Sequence, residues 1–372
     1  MKYRILLFFC VLAFTGCSST KEKPIPQEDV KQYLLAGAYS DGTTPGMVVY
    51  DFDTQTGEFE YVSAIDGIEN PSYLAVSPDE QFVYSVNETA NGAVSSFTFD
   101  KTTGTLRLIN YQFTEGADPC YISINQDATL LFTANYNGGN LSVFPLGKEG
   151  CIQPLVQNIA FKPASHIHTA VFSPDEKRLL VTDLGTDKIY QYYLMKTADG
   201  LPLLREDQVV QLEHGSGPRH LAFHPNGKFL YSINELSGTI TVMDYADGIQ
   251  DFRQTIVADT TPGVGGKGSA DIHLTPDGRF LYASNRAQTN TIAIFSVNPD
   301  DGTLTKIGYQ PTGLHPRNFL LSPNGKFLLC ANRYSDNIQI FEIDSVSGLL
   351  HDTEKIIQQS QPVCLQWIRE RP

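Results

Sequence analysis

The sequence has little cysteine, tryptophan, methionine or positive charge. Of its 372 residues, six are cysteine, four are methionine and one is tryptophan. Its 41 acidic residues outnumber the 27 basic ones and give a formal net charge of -14. So acidic a chain lacks the basic surface that neutralises phosphates, which excludes a general nucleic-acid binder but still allows a local basic pocket.

Two kinds of chemical motif are also missing. No two cysteines have the CxxC spacing typical of structural zinc sites, and no GxSxG elbow is present, which argues against a covalent serine mechanism. Beyond the N-terminal segment the cysteines are Cys120, Cys151, Cys330 and Cys364. Their even number permits two disulfides in an exported protein, but such wide spacing is not that of a small disulfide scaffold, so we predict buried free thiols.

One apolar run, Ile5 to Phe14, stands out near the N-terminus and is too short to span a bilayer. It follows two basic residues and ends just before Cys17, a pattern that resembles a bacterial lipoprotein signal with Phe14 in place of the usual leucine. We therefore predict a signal peptide at 1–17, a lipid on Cys17, a flexible tether at 18–31, and an exported lipoprotein in the periplasm or cell envelope, with the outer membrane favoured. An uncleaved anchor and a plain secretory signal are the alternatives.

The rest of the chain is built from an internal repeat. Six segments share a turn, an apolar strand and a final polar pair: SPDEQFVYSVNE, NQDATLLFTANY, SPDEKRLLVTDL, HPNGKFLYSINE, TPDGRFLYASNR and SPNGKFLLCANR. The residues that open their final pairs lie 47 to 51 positions apart: Asn87, Asn135, Asp183, Asn234, Asn285 and Asn332. A period of this size with several strands per unit is typical of β-propeller blades.

Counting strands predicts seven blades. An alternating strand recurs seven times, beginning at Met47, Ala93, Leu141, Lys188, Thr239, Thr291 and Asn337. The strand before it has a seventh copy at 33–40, and the first strand of that unit is found only at the C-terminus, at 362–368. We therefore predict an all-β fold: a single seven-bladed propeller at 32–372, with four-stranded antiparallel blades and a ring closed by pairing of the N- and C-terminal strands.

Equivalent positions of such a repeat should form rings around the central channel. The start of the innermost strands contributes Ser72, Cys120, His168, Arg219, Ala270 and Arg317, followed by Tyr73, Tyr121, Thr169, His220, Asp271 and Asn318. The ends of the second strands contribute Glu88, Tyr136, Leu184, Glu235, Arg286 and Arg333. Ionisable residues that differ from blade to blade and converge on a channel indicate a functional site.

Each candidate also has a structural explanation. His166 and His168 lie on one face of a strand and could cap it, and His273 could be a core histidine. Arg219 and Arg317 could form plain salt bridges with neighbouring carboxylates, as could Glu235 with an arginine. Asp183 replaces the asparagine of the repeat and could serve a turn.

Four stretches carry a family resemblance: HIHTAVFSPDEKRLLVTDLGTDKIYQYYL, GSGPRHLAFHPNGKFLYSINELSGTITV, SADIHLTPDGRFLYASNRAQTNTIAIFSV and HPRNFLLSPNGKFLLCANRYSDNIQIFEI. They resemble the seven-bladed lactonase family, which includes propeller-type 6-phosphogluconolactonases and fungal muconate-lactonizing enzymes. The likeness spans residues 33 to 368. Its motif positions are matched by His168, Arg219, His220, Glu235, His273, Arg286 and Arg317.

The resemblance implies a lactone hydrolase that opens a small anionic lactone with an activated water and requires no cofactor. We expect Glu235, His220, Arg219 and His168 to be catalytic, with Glu235 or a histidine as base. The expected substrate-binding residues are Arg286, Arg317, His273, His166 and Asp183. Since the family substrate 6-phosphogluconolactone is made in the cytosol and the leader predicts export, another sugar lactone is plausible.

Three rival functions remain open at this stage. A metal-assisted lactonase could use His166, His168, Asp183 and Glu235 to hold a divalent ion. A non-catalytic propeller could bind a sugar acid or a partner protein at the cell envelope. A muconate-type lactonizing enzyme would close the ring instead, with a basic residue beside a bound diacid.

Overall fold

The computed structural model describes residues 32–196, 202–261 and 267–369. The predicted signal peptide, Cys17 and the tether lie outside these residues. Within them, no helix is long and apolar enough to cross a membrane.

The described residues are almost entirely β-strand and turn. The first three sets of strands are β1 (Gln32–Ala38), β2 (Met47–Phe52) and β3 (Phe59–Ile65), then β4 (Leu74–Val76), β5 (Phe82–Asn87), β6 (Ala93–Asp100) and β7 (Thr105–Phe113), then β8 (Pro119–Ile124), β9 (Leu130–Asn135), β10 (Asn140–Pro145) and β11 (Gln157–Ala160). The next two are β12 (Ile167–Phe172), β13 (Arg178–Asp183), β14 (Lys188–Lys196) and β15 (Pro202–Gln211), then β16 (Pro218–Phe223), β17 (Phe229–Asn234), β18 (Thr239–Tyr245) and β19 (Ile249–Val257).

The remaining strands complete the order. They are β20 (Ser269–Leu274), β21 (Phe280–Asn285), β22 (Thr291–Val297) and β23 (Leu304–Pro311), then β24 (Pro316–Leu321), β25 (Phe327–Asn332), β26 (Asn337–Ile343) and β27 (Leu350–Gln358), and finally β28 (Pro362–Arg369). A single turn of 3₁₀ helix at Arg333–Ser335 joins β25 to β26. Six of the seven alternating strands begin where the repeat predicts, and β10 begins one residue before the expected Leu141.

These strands form seven four-stranded antiparallel sheets, which confirms the predicted propeller. Six sheets use four consecutive strands, in the order innermost to outermost that the repeat predicts. The remaining sheet has the order β28-β1-β2-β3, so it combines strands from both ends of the chain. Strand β28 pairs antiparallel with β1 from Gln32 opposite Arg369 to Ala38 opposite Pro362, which closes the ring as predicted.

The core lies between neighbouring blades. Every residue of the second strands β17, β21 and β25 is buried, because both faces of these strands pack against an adjacent blade. The outermost strand β7 instead alternates between exposed and partly buried positions. Burial on both faces explains the continuous apolar runs in the inner strands, and partial exposure explains the alternation in the outer ones.

The turn between the first and second strands needs a left-handed residue in each of six blades. Gly227, Gly278 and Gly325 hold this position with φ of 70°, 74° and 70°. The equivalent residues Glu80, Ala128 and Glu176 adopt φ of 56°, 50° and 53° although they carry side chains. Glycine pays no steric cost there, so the turn is built most easily in the last three of these blades.

Candidate active site

A β-bulge near the start of the innermost strands brings consecutive side chains towards the channel. The register with the second strand shifts between Pro218 and His220 in β16, and equivalent shifts occur in β8, β12, β20 and β24. A bulge places two residues opposite one and re-aims their side chains. As a result Arg219 and His220, which strand alternation would separate, contact each other with Arg219 Nη1 3.1 Å from His220 Nε2.

The first group of charges joins two adjacent blades. Glu235 follows β17, and its Oε2 lies 3.0 Å from Nε of Arg219 and 2.7 Å from Nη2 of Arg286 in the next blade. Arg286 Nε also donates to the Gly268 carbonyl at 2.9 Å, and Arg219 is only 2% exposed. One carboxylate therefore holds two buried guanidinium groups side by side.

A second group lies across the channel. Arg317 Nη2 lies 3.8 Å from Glu88 Oε2, and the Tyr39 hydroxyl donates to Glu88 at 2.9 Å. The Arg333 guanidinium stacks on the Tyr39 ring at 4.1 Å and donates from Nε to Gln361 at 3.2 Å. We call Arg219, Arg286, Arg317 and Arg333 the arginine cluster.

The arginine cluster carries more positive charge than the two carboxylates that pair with it. Burial, together with Arg286 and Arg317, lowers the pKa of Arg219 to about 10, so this guanidinium stays protonated at neutral pH. Burial alone would raise the pKa of Glu235, but Arg286, Arg219 and Arg317 hold that pKa below its ordinary value. Glu235 is thus an ionised carboxylate, and the surplus cations suit an anionic ligand.

Two histidines flank the arginine cluster from the fourth blade. His168 is buried, its ring packs edge-on against His220 at 5.2 Å, and its Nδ1 has no hydrogen-bond partner among the described residues. Burial and the nearby Arg219 keep the pKa of His168 well below its ordinary value, so the imidazole is neutral. His166 stacks on Tyr136 with ring centroids 4.4 Å apart, and its Nδ1 lies 3.1 Å from the Tyr136 carbonyl.

A further cluster lies towards the opposite face of the ring. Asp271 accepts from His220 Nδ1 at 2.7 Å and from His273 Nε2 at 3.1 Å. These residues, with Tyr73 and Tyr121, line a cavity of about 310 Å³ that reaches the hairpin turns of two blades. His273 therefore lies on the far side of His220 from the arginine cluster.

Asp183 is placed apart from the channel charges. Its carboxylate accepts five hydrogen bonds, from the Ser165 hydroxyl, the backbone N–H groups of His166, Gly185 and Thr186, and the Thr186 hydroxyl. Both oxygens thus bind the segment before β12 and the turn after β13, and the second of these contacts is the structural role foreseen for this position.

The arginine cluster adjoins an open cavity at the face where the second strands end. This cavity has a volume of about 680 Å³ and is lined by Tyr39, Ser40, Asp41, Thr43, Thr44, Glu69, Asn70, Arg333, Ser360 and Gln361. Arg333 of the arginine cluster lines this cavity, together with Tyr39, on which the Arg333 guanidinium stacks. The 310 Å³ cavity has no arginine in its lining, so we place the candidate active site at the arginine cluster.

The thiols take no part in cross-links. Cys120, Cys330 and Cys364 are buried and Cys151 is partly buried, and all four are free, as predicted for the set. Among residues 32–196, 202–261 and 267–369 there is no group of three or more His, Cys, Asp or Glu side chains placed to hold a metal ion.

The sequence argument missed three contributors. Tyr39 occupies the ring position of Glu88 and Glu235, but Ala38 stands where the repeat has asparagine, so the pattern did not mark it. His315, just before β24, is a neutral residue of the candidate site because burial and Arg286 lower its pKa to about 3. Asp271 was noticed by position but not chosen, and only the structure shows it between two histidines.

The fold and site together define a seven-bladed β-propeller whose central channel holds a cluster of arginines. A family model described as "Lactonase, 7-bladed beta-propeller" matches residues 33–367. The chain belongs to this family, as the resemblance implied.

Named relatives agree with this assignment. A 6-phosphogluconolactonase of Formosa agariphila is 38% identical over 334 residues, which cover 85% of this chain and 94% of that protein. A crystal structure from Bacteroides fragilis, provisionally assigned as a 6-phosphogluconolactonase, is 45% identical with a TM-score of 0.87 and covers 93% of this chain and 100% of its own. The periplasmic gluconolactonase of Pseudomonas aeruginosa is 32% identical, also with a TM-score of 0.87, over 92% and 100% of the two chains.

Proposed function

We propose that this protein is a lactone hydrolase that opens a sugar lactone at the arginine cluster. The observation that carries the proposal is the set of four arginines, two buried and two partly buried, in a chain of the lactonase family. Among the described residues, the ion pairs of this set are with two carboxylates, Glu235 and Glu88. Relatives named 6-phosphogluconolactonase and gluconolactonase support a sugar lactone as substrate. Excess positive charge favours a substrate that is itself anionic or becomes so on ring opening.

The chemistry requires an activated water and stabilisation of an oxyanion. A water oxygen attacks the lactone carbonyl carbon, its proton passes to a neutral base, and the resulting oxyanion lies against guanidinium groups. Collapse breaks the ring C–O bond, and the proton returns to the ring oxygen, which leaves as a hydroxyl. The product is the open-chain aldonic acid, which loses a proton to the solvent and becomes the aldonate.

His168 is the base that the geometry favours. It is neutral, its Nδ1 has no hydrogen-bond partner among the described residues, and its ring packs against His220. Glu235 is the weaker candidate because Arg219 and Arg286 already hold its carboxylate, which would have to leave both guanidinium groups to take a proton. We therefore assign Glu235 to hold Arg219 and Arg286 in place, and those guanidinium groups to bind the oxyanion.

The test is turnover of a panel of sugar lactones, with and without an added phosphate or carboxylate, by the purified chain from Lys31 onwards in a pH-indicator assay. We expect hydrolysis well above the spontaneous rate, and a fall in kcat of about 10²- to 10³-fold in His168→Asn with a small change in KM. The matched control is His214→Asn, since the His214 side chain is fully exposed, and it should behave as wild type.

The rival functions give different outcomes in the same assay. Thermal stabilisation by a sugar acid without turnover of any lactone would identify a binding protein. Activity lost on exhaustive chelation and restored by a divalent ion would identify a metal-assisted lactonase. Ring closure of a diacid without lactone opening would identify a lactonizing enzyme.

We further propose that the protein is exported and held in the envelope by a lipid on Cys17. The support is the N-terminal pattern and the relative named as a periplasmic gluconolactonase. Labelling cells with radioactive palmitate should mark the wild-type chain in the membrane fraction, whereas Cys17→Ser should lose the label. An unlabelled wild-type chain would refute the anchor.

A further inference from the structure

A buried chain of hydrogen bonds connects the two sides of the channel. It runs from His273 through Asp271 and His220 to Arg219, and Arg219 is joined to Glu235 by an ion pair. His220 and Asp271 are almost fully buried, at 4% and 1% exposure. Arg219 and Glu235 already have roles in the proposed reaction. The roles of His220, Asp271 and His273 are open.

The hydrogen-bond partners determine the tautomer of His220. Arg219 Nη1 lies 3.1 Å from His220 Nε2, and a guanidinium can only donate, so Nε2 must accept. The second proton of the same Nη1 goes to the Ala270 carbonyl at 2.6 Å. Nδ1 must then carry the imidazole proton and donate it to Asp271 Oδ1 at 2.7 Å.

Asp271 is built to remain an ionised acceptor. Oδ2 accepts from Asn318 Nδ2 at 2.5 Å, from the Phe319 N–H at 3.2 Å and from His273, while Oδ1 accepts from the Ile272 N–H at 3.0 Å and from His220. Burial alone would raise the pKa of Asp271, but His273 and His220 hold that pKa well below its ordinary value. The same surroundings keep His220 neutral, because burial and Arg219 lower its pKa to about 4.

We infer that Asp271 is a positioning residue: it fixes the His220 tautomer whose Nε2 accepts from Arg219, and so orients this guanidinium in the arginine cluster. The catalytic consequence rests on the proposed lactone hydrolysis, whereas the tautomer itself does not. His220, expected from the sequence to be catalytic, becomes the link between Asp271 and Arg219. Neither residue needs to touch the substrate.

Asp271→Asn tests the inference because the asparagine amide has a forced orientation. The Asn318 amide and the Phe319 N–H donate to Oδ2 together with His273, whereas among the described residues the Ile272 N–H is the only backbone or amide donor to Oδ1. The amide oxygen should therefore take the Oδ2 side, and the NH₂ group should face His220 Nδ1. The imidazole proton would then move to Nε2, directly against an Arg219 N–H. We expect a reversed tautomer and a fall in kcat/KM for the lactone of about 10²- to 10⁴-fold, the range that loss of the correct histidine tautomer can cause.

The measurement is nitrogen NMR of histidine-labelled protein, in which the protonated and bare ring nitrogens have distinct shifts. The chain has only eight histidines, and His220→Gln identifies the signal of interest by its loss. Asp259→Asn is the matched control, because Asp259 is also buried but accepts from the N–H and hydroxyl of Thr261. It should leave both the tautomer and the activity unchanged.

Two further variants keep the test decisive if Asp271→Asn does not fold. The amide oxygen of His220→Gln can accept from Arg219 in place of Nε2, so this variant should keep activity within about tenfold of wild type, while His220→Leu should lose about 10²-fold. Equal activity of these two variants would overturn the inference. So would an unchanged His220 tautomer in folded Asp271→Asn, or a reversed tautomer with undiminished turnover.

Failure of the proposed lactone hydrolysis and failure of the positioning role of Asp271 give different results. If the wild-type protein hydrolyses no lactone, the NMR tautomers of wild type and Asp271→Asn still decide whether Asp271 sets the imidazole. If the wild type is active and the tautomer does not respond to Asp271→Asn, lactone hydrolysis stands and only the positioning role is lost.

Discussion

Replacing Glu235 with glutamine is expected to lower kcat/KM for a lactone substrate by about 10²- to 10³-fold, the effect of losing one oriented oxyanion donor. Glutamine matches the carboxylate in size but cannot neutralise two guanidinium groups at 3.0 and 2.7 Å. Arg219 and Arg286 would then repel each other across adjacent blades and move from the positions in which they bind the oxyanion. The measurement is steady-state kinetics, with the loss expected mainly in kcat.

Stability has to be followed in the same variant. Removing one partner of a fully buried ion pair costs about 3 to 5 kcal/mol. The Glu235 side chain is 22% exposed, so the free energy of unfolding should fall by less than this and the ring should stay folded. Glu60→Gln is the control, since Glu60 is exposed on the outer strand β3 and should behave as wild type. A folded Glu235→Gln protein with wild-type kcat/KM would show that these arginines need no carboxylate between them.

The fold could be predicted from the sequence because the signals are local and repeated. Each Pro-Asp or Pro-Asn turn marks the hairpin between the first and second strands, and the buried second strand follows as an apolar run. Closure was predictable as well, because the unit at 33–40 lacks a first strand and the segment at 362–368 lacks the other three. The pairing of β28 with β1 joins these halves.

The candidate site could be predicted only as a set of positions. The repeat placed Arg219, Glu235 and Arg286 at the channel, but their pairing depends on the twist between blades, which no local pattern encodes. The bulge in β16 also has no clear sequence signal, although it brings His220 into contact with Arg219. Whether a polar side chain serves the channel or a turn depends on its exact direction.

Asp183 and Asp271 show this last point. Both are buried aspartates near the inner strands, yet the first accepts from backbone and hydroxyl donors of two loops, whereas the second joins two histidines. The sequence analysis chose Asp183, which replaces the asparagine of the repeat, and left out Asp271, although Asp271 shares its ring position with His220. A residue that departs from the repeat can therefore stabilise local structure as readily as it can serve the function of the protein.

Ring closure by the last strand predicts the largest loss of stability. Leu365 in β28 is 1% exposed and lies opposite Ala36 in a core cluster with Leu34 and Leu329, so it bridges the first and last parts of the chain. In Leu365→Asp a carboxylate would be buried there without a partner, which costs several kcal/mol beyond the about 2 to 5 kcal/mol lost by truncation to alanine. We expect little or no soluble protein.

The control for Leu365→Asp is a variant with the same new charge at an exposed position. Val346→Asp introduces the same charge at a turn position that is 84% exposed, so its denaturation midpoint should match wild type. If Leu365→Asp matched it too, β28 would contribute nothing to the fold. If instead it unfolds, the channel loses its seventh wall, and Arg317 and Glu88, which lie in the two blades on either side of that wall, would lose the geometry that brings them together. The same strand pairing would then support both the stability of the ring and the charges on its axis.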